Sequence, residues 1–305
     1  MKRDAFFRAL EAAARKRGAL VMGICNVTPD SFSDGGRFLA PAAARAQVDR
    51  LLAEGADVLD LGAESTRPGA KPVSEDEQLA RLEPALAHAI ERGAVVSIDT
   101  QSPRVAEACL ARGAHAVNDV SCLRDEGLAD AAARHGAAYV LMHSRGTQEA
   151  MAGFSRYPDD AYDDVVRDVA REWSLAAARA EARGLTRASL IMDPGFGFAK
   201  NVRHSAELLA RTRELVAAVG APVLVGASRK SFLTLADPSA APEERLGASI
   251  AAALFAVRAG ATLVRVHDVR ATCQALELEA ALARTTASQA VGNVPNPRKN
   301  EEASA

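Results

Sequence analysis

Seven polar side chains carry chemistry that one site could use together. Arg67, Lys230, Arg265 and His267 suit a shared polyanion, as clustered basic groups suit phosphates. Asp99, Asn118 and Asp193 are directional hydrogen-bonding groups suited to a flat, nitrogen-rich heterocycle. Each lies at or just beyond the end of a short apolar run. The densest polar stretch follows the first run: Ala19 to Cys25 is apolar, and Asn26-Val27-Thr28-Pro29-Asp30-Ser31-Phe32-Ser33-Asp34-Gly35-Gly36 comes directly after it. A buried strand ending in a long polar segment with Gly and Pro is how a βα loop begins. One carboxamide, two carboxylates and three hydroxyls in that loop can handle anions and cations. Loops of this length in a compact domain are usually functional. No Ser-His-Asp or Cys-His arrangement points to a nucleophilic side chain.

The elements that must position these groups alternate regularly. Val/Leu/Ile-rich runs predict strands near 20–25, 57–61, 95–98, 115–118, 138–142, 189–192, 222–226 and 263–266. Ala/Arg/Glu-rich segments predict helices near 41–54, 75–92, 103–112, 126–135, 159–183, 203–219, 243–259 and 269–284. Eight βα units with near-continuously apolar strands imply an α/β fold, a single (β/α)8 TIM barrel. A doubly wound open sheet would usually carry a GxGxxG turn after its first strand, and none stands there. The expected organisation is one barrel domain over 1–284, with an N-terminal helical extension from Ala5 to Arg17. Periodicity fades from about Thr285, so 285–305 is expected to be a disordered tail.

Sites of such barrels lie where the strands end. Here those ends read Asn26, Glu64 to Arg67, Asp99-Thr100, Asn118-Asp119, His143, Asp193, Ser228 to Lys230, and Arg265 to Asp268. One polar strand end commonly caps the next helix. Eight together are hard to explain as caps. Arg265 and His267 lie two apart on a strand, so their side chains share one face. Other residues read as structural: Arg229 as a helix partner, Asp119 and Asp268 as caps, Glu64 as a brace for the second loop. His88, His115, His135 and His204 sit in helical or pre-strand contexts, and Trp173 in a long helix reads as core.

The chain has 305 residues, 25% of them charged, and a net charge of −2, which offers no electrostatic case for nucleic acid or membrane. Cys25, Cys109, Cys122 and Cys273 show no paired spacing, so zinc and a disulfide framework are not expected. Reduced buried thiols fit a cytoplasmic protein. No run approaches the roughly 18 apolar residues of a membrane span.

At these residues the chain resembles the dihydropteroate synthases, folate-pathway enzymes that join a pterin to 4-aminobenzoate. The matching strings are Met22-Gly23-Ile24 with Asn26 to Gly36, Gly62 to Gly69, Ser97 to Thr100, Asn118-Asp119, Asp193 to Phe198, Ser228 to Phe232, and Arg265 to Asp268. They keep the family's order across about 20–270. The resemblance implies that Asp99, Asn118, Asp193 and Lys230 hold the pterin ring. It assigns Thr66, Arg67, Arg265 and His267 to the substrate diphosphate and Asn26 to a magnesium ion. Phe32, Pro68, Phe198 and Ser228 match the region that accepts 4-aminobenzoate. It further implies an SN1-like transfer, catalysed through Asn26, Arg67, Lys230, Arg265 and His267, with loop closure by an Asp34–Arg67 ion pair. A homodimer through the outer helices, with 243–259 as one face, and inhibition by sulfonamides are also implied. Cys25 stands where the family commonly has a larger aliphatic, and Thr147 where it often has Pro. Two other readings share parts of this pattern, a pterin-dependent methyltransferase and a non-catalytic pterin-binding paralogue. Thr66-Arg67, Ser228 to Lys230 and Arg265 to His267 around a diphosphate disfavour the first. Retention of Asn26, Arg67 and Lys230 disfavours the second.

Overall fold

Strands and helices alternate through the computed structural model, which describes residues 2–27, 40–64, 73–146 and 155–292. The strands are β1 (Leu20–Asn26), β2 (Val58–Gly62), β3 (Val95–Asp99), β4 (Ala116–Asp119), β5 (Ala138–Met142), β6 (Leu190–Asp193), β7 (Leu224–Val225) and β8 (Leu263–Val266). The helices are α1 (Lys2–Arg17), α2 (Ala40–Ala53), α3 (Glu75–Glu91), α4 (Pro103–Ala111), α5 (Gly127–His135), α6 (Val165–Ala182), α7 (Val202–Ala210), α8 (Thr212–Val219), α9 (Leu246–Arg258) and α10 (Val269–Gly292). All strand pairs are parallel, in the order β6-β5-β4-β3-β2-β1-β8-β7. The ends of this sheet meet at a single bridge, Met192 to Val223, so the barrel is nearly closed. The (β/α)8 expectation holds.

Register brings the strand ends to one rim. Asn26 pairs with Gly62, Gly62 with Asp99, and Asp99 with Asn118. Along each strand the side chains alternate between lumen and helix layer. Val21, Leu59, Val96, Val117, Tyr139, Met192 and Val264 face the helices in one core. Leu20, Met22, Val58, Ala116, Val140, Ile191, Leu224 and Leu263 fill the lumen, where Phe6, Leu10 and Ala13 of α1 join them. The N-terminal extension is therefore the floor of the barrel. Arg17, buried at the end of α1, donates to Gly55 O at 2.9 Å and to Glu277 at 3.2 Å, tying that floor to the wall.

Local chemistry explains where helices begin. Ser74 caps α3, Ser102 caps α4 with Pro103 following, and Asp164 accepts from Val166 N and Arg167 N to start α6. Because Asp164 is extended, α6 begins later than the expected position near 159. The helix expected near 203–219 is broken at Arg211, whose φ and ψ are −103° and 23°. Thr212 Oγ1 donates to the carbonyls of Leu208 and Leu209, which competes with continuation of the ladder. The last helix runs on to Gly292, past its expected end near 284.

Phe6 is wholly buried in the floor. Phe6→Ala should lower the unfolding free energy by about 3–5 kcal/mol. Urea denaturation would measure it, and a loss below about 1 kcal/mol would contradict the plug.

Candidate active site

The lumen changes character from floor to mouth. On the lumen-facing parity, β2 goes from Val58 to Asp60, β4 from Ala116 to Asn118, β6 from Ile191 to Asp193, and β8 from Leu263 to Arg265. At β7 the equivalent position after Leu224 is Gly226. A Cβ there would meet Asp193 Oδ2 at 3.8 Å and the Arg265 Cβ at 3.9 Å, so the absence of a side chain keeps the space between them open.

Arg265 organises this layer. Its Nε donates to Asp60 Oδ2 at 2.6 Å and its Nη2 to Asp99 Oδ2 at 2.7 Å. Asn118 Nδ2 donates to the same Asp60 oxygen at 2.9 Å, which fixes the amide with its oxygen free. Among the described residues, Asp60 Oδ1, Asp99 Oδ1 and Asn118 Oδ1 are buried without a hydrogen-bond partner. Buried polar atoms almost always have partners. A molecule presenting several N–H donors fits such a set. Asp193 Oδ1 accepts from Gly195 N at 2.7 Å.

Burial pushes the Asp99 carboxyl up to about 7, although Arg265 opposes the shift. Burial likewise raises Asp193, against the pull of Lys230. Lys230 is drawn down to about 8 by burial, with Asp193 opposing. Burial works against the charge on Arg265, but Asp60 and Asp99 more than offset it and hold the guanidinium above its usual value.

Lys230 Nζ donates to Phe196 O at 2.6 Å and lies 4.7 Å from the centre of the Phe198 ring. His267 is held neutral, its value brought down to about 4 by burial and by the nearby Arg265 and Arg229 charges. Ser228 Oγ accepts from His267 N at 3.2 Å and lies 3.1 Å from His267 Nδ1. The serine hydroxyl then donates to Nδ1 and the ring proton sits on Nε2, leaving Nε2–H as a donor. Arg229 has a left-handed φ of 59°, held by Arg245 on its carbonyl at 3.0 Å and by an ion pair with Asp268. That turn sets Ser228 and Lys230 on the mouth while Arg229 binds outside it.

Asn26 ends β1 and is exposed, beside Gly62 and separated from Asp99 by β2. A cleft of about 410 Å³ runs outward from Asn26 and His267 between α2 and α10. Among the described residues no group of three or more His, Cys, Asp or Glu could hold a metal. A single carboxamide oxygen suits a magnesium ion that takes its other ligands from substrate phosphates and water.

Thus Asn26, Asp99, Asn118, Asp193, Phe198, Ser228, Lys230, Arg265 and His267 gather at one rim, as expected. Phe32, Asp34, Thr66, Arg67, Pro68 and Thr147 lie outside the described residues. Residues read as structural behave so. Asp119 points away from the lumen and accepts from Ser121 N, Leu123 N and the Tyr139 hydroxyl. Glu64 accepts from Val73 N and Gln78, bracing its loop, and Trp173 donates to Leu141 O from the core. Cys25 faces the helices, its thiol pushed up to about 12 by burial. Strand-end inspection misses Asp60, which lies inside β2. The available signal was a carboxylate within the apolar run Val58-Leu59-Asp60-Leu61, since a fully buried Asp is nearly always paired.

Fold and site define a TIM-barrel enzyme whose mouth pairs a hydrogen-bonding lumen with a basic rim. The model for pterin binding enzymes matches residues 22–267. A dihydropteroate synthase of Neisseria meningitidis serogroup B is 43% identical over 267 residues, spanning 86% of this chain and 92% of that protein. A Xanthomonas albilineans dihydropteroate synthase solved with 4-aminobenzoic acid superposes with a TM-score of 0.76 at 43% identity, covering 91% of this chain and 94% of that one. The same organism's enzyme in complex with 7,8-dihydropteroate gives 0.73 at 40% identity, covering 91% and 95%. The chain belongs to the pterin-binding enzyme family and, within it, to the dihydropteroate synthases.

The raised Asp99 value has a sign that can be checked. Between about pH 4, where an unfolded Asp titrates, and about 7, the folded protein holds this proton more tightly. Raising pH through that window therefore weakens the ligand-free fold, and Asp99→Asn should flatten this slope in denaturation curves. Carbon-13 NMR should place the Asp99 carboxyl near 7. An ordinary titration at or below about 4 would contradict it.

Proposed function

We propose that the chain condenses 6-hydroxymethyl-7,8-dihydropterin diphosphate with 4-aminobenzoate, giving 7,8-dihydropteroate and diphosphate. The observation that carries this reading is the set of free carboxylate and amide oxygens facing the lumen beside Arg265, Lys230 and His267. Asp193 accepts the paired 2-amino and ring N–H donors of the pterin, as a carboxylate accepts from a guanidinium-like edge. Asp99 and Asn118 take further ring groups, and Lys230 donates to a ring acceptor. Ionised carboxylates accept better, so a bound donor edge favours the ionised forms of Asp99 and Asp193 against the effect of burial.

The C–O bond between the pterin methylene and diphosphate breaks, and its electron pair leaves with the diphosphate. Arg265, His267 Nε2–H, Thr66 and Arg67 would donate to that leaving group. Charge stabilisation by preorganised donors is the dominant contribution in such steps. A magnesium ion held by Asn26 and the diphosphate would neutralise the same developing charge. The pterin-methylene cation is taken by the arylamine nitrogen. A C–N bond forms and the nitrogen releases one proton to solvent. Phe32, Pro68, Phe198 and Ser228 would bound the arylamine, and an Asp34–Arg67 pair would close the two loops over it.

A homodimer also fits. Leu235, Leu246 and Phe255 are exposed around α9, beside an apolar groove of about 340 Å³ lined in part by Leu209, Phe232 and Ala252. Light scattering should give twice the 32.0 kDa chain mass, and Phe255→Glu should shift it to a monomer. A monomeric unmodified protein would refute this. No described helix is long and apolar enough to cross a membrane.

Diphosphate release from the pterin substrate is the direct assay. Release should need 4-aminobenzoate for turnover, stop with EDTA, return with magnesium and be inhibited competitively by a sulfonamide. Asp193→Asn should lower kcat/KM for the pterin by about 100-fold, or ~2.7 kcal/mol of transition-state stabilisation. A protein that binds pterin but never releases diphosphate would overturn the reading.

A further inference from the structure

Lys200 is fully buried and takes no part in the reaction above. Its ammonium lies behind the site, and its three donors have three acceptors. Nζ is 2.9 Å from His143 Nδ1, 3.0 Å from Phe198 O and 3.5 Å from His143 O. His143 is equally buried, and burial with the Lys200 charge brings it down to about 4, so it is neutral. Its Nε2 faces Glu172 at 3.0 Å, which places the ring proton there and leaves Nδ1 to accept from Lys200. Glu172 is held in turn by Arg145. A chain of charge-assisted contacts thus runs from Arg145 through Glu172 and His143 to Lys200.

That chain ends on an unusual turn. Gly195, Gly197 and Ala199 all have left-handed φ, at 67°, 78° and 46°. Gly195 packs directly on His143, where a Cβ would fall 2.1 Å from the His143 carbonyl oxygen. Four successive carbonyls of this turn are each held by a different donor. Lys230 Nζ holds Phe196 O at 2.6 Å, Ser155 N holds Gly197 O at 3.1 Å, Lys200 Nζ holds Phe198 O at 3.0 Å, and the Tyr162 hydroxyl holds Ala199 O at 2.9 Å. Ala199 is no glycine, so its left-handed backbone needs such support. A buried apolar contact would have cost less than a buried ammonium, whose desolvation is substantial. Among the described residues, it is Lys200 that supplies a directional hold on Phe198 O.

We propose that Lys200 is a positioning residue for the arylamine pocket: it sets the turn over 195–199 and, through it, the ring of Phe198 against 4-aminobenzoate. This rests on the assignment of Phe198 to that pocket. Steady-state kinetics on the full chain test it. Lys200→Met should raise KM for 4-aminobenzoate about tenfold while KM for the pterin diphosphate stays within about twofold. Tyr162→Phe removes one donor from the adjacent carbonyl without burying or unpairing a charge, and should raise the same KM about two- to threefold. It decides the matter if the Lys200 variant does not fold. Equal rises in both KM values, or a fall in kcat alone, would mean a general structural role and would overturn the proposal. Phe198→Leu separates the two levels. If it leaves KM for 4-aminobenzoate unchanged, the pocket assignment is wrong and this inference falls with it. If it raises that KM while Lys200→Met and Tyr162→Phe do not, only the role of Lys200 is wrong.

Discussion

The Arg265 guanidinium, held between Asp60 and Asp99, is the contact on which the rest of the mouth depends. It joins β8 to β2 and β3 across the lumen, and Asp60 extends the link to Asn118 on β4. One side chain therefore sets four strands and three hydrogen-bonding groups at once. Buried charges are costly, and removing one partner of such a pair leaves an uncompensated charge, commonly at a cost of about 3–5 kcal/mol. That penalty works as a constraint on geometry. The two carboxylates cannot move from the guanidinium, so the remaining oxygens of Asp60, Asp99 and Asn118 point into the lumen with little freedom. A site held this way needs little reorganisation when ligand arrives.

Such a layer is possible only because the floor below it is dry. Parallel strands place side chains in stacked tiers, and the lower tier here is Met22, Val58, Val140 and Leu263, sealed by Phe6 and Leu10 of α1. Without the plug, water could reach the ion pairs from below and weaken them. The N-terminal helix, at the opposite end of the lumen from the polar layer, thereby supports the electrostatics of the mouth. Stability and function share this tier.

Much of this was legible in the sequence. Apolar runs followed by polar residues identified all eight strands, because a strand buried on both faces has few other ways to be written. Asn26, Asp99, Asn118, Asp193, Arg265 and His267 were found by position at the strand ends alone. Asp60 was not, since its role depends on parity and on a partner about 200 residues away, neither of which a local window contains. Lys200 was hidden for a similar reason. Its partner His143 belongs to a different βα unit, and nothing near Lys200 in sequence marks it as buried. The break at Arg211 also escaped, because Thr212 departs from the helix through its own hydroxyl while the apolar periodicity continues across it.

The two lysines that hold the turn over 195–199 show how position divides similar chemistry. Lys230 reaches Phe196 O from the mouth, beside Asp193 and over the Phe198 ring, where a ligand can compete for its remaining donors. Lys200 reaches Phe198 O from behind, with every donor already used within the protein. Burial lowers both, Lys200 to about 7 and Lys230 to about 8, and the Asp193 charge counters the fall in each case. Both lysine charges in turn favour the ionised form of Asp193 against burial. When a ligand draws Lys230 away from the turn, the hold on Phe198 O from Lys200 remains. The interior lysine therefore holds the turn over 195–199 from behind, while Lys230 stays open to ligand at the mouth.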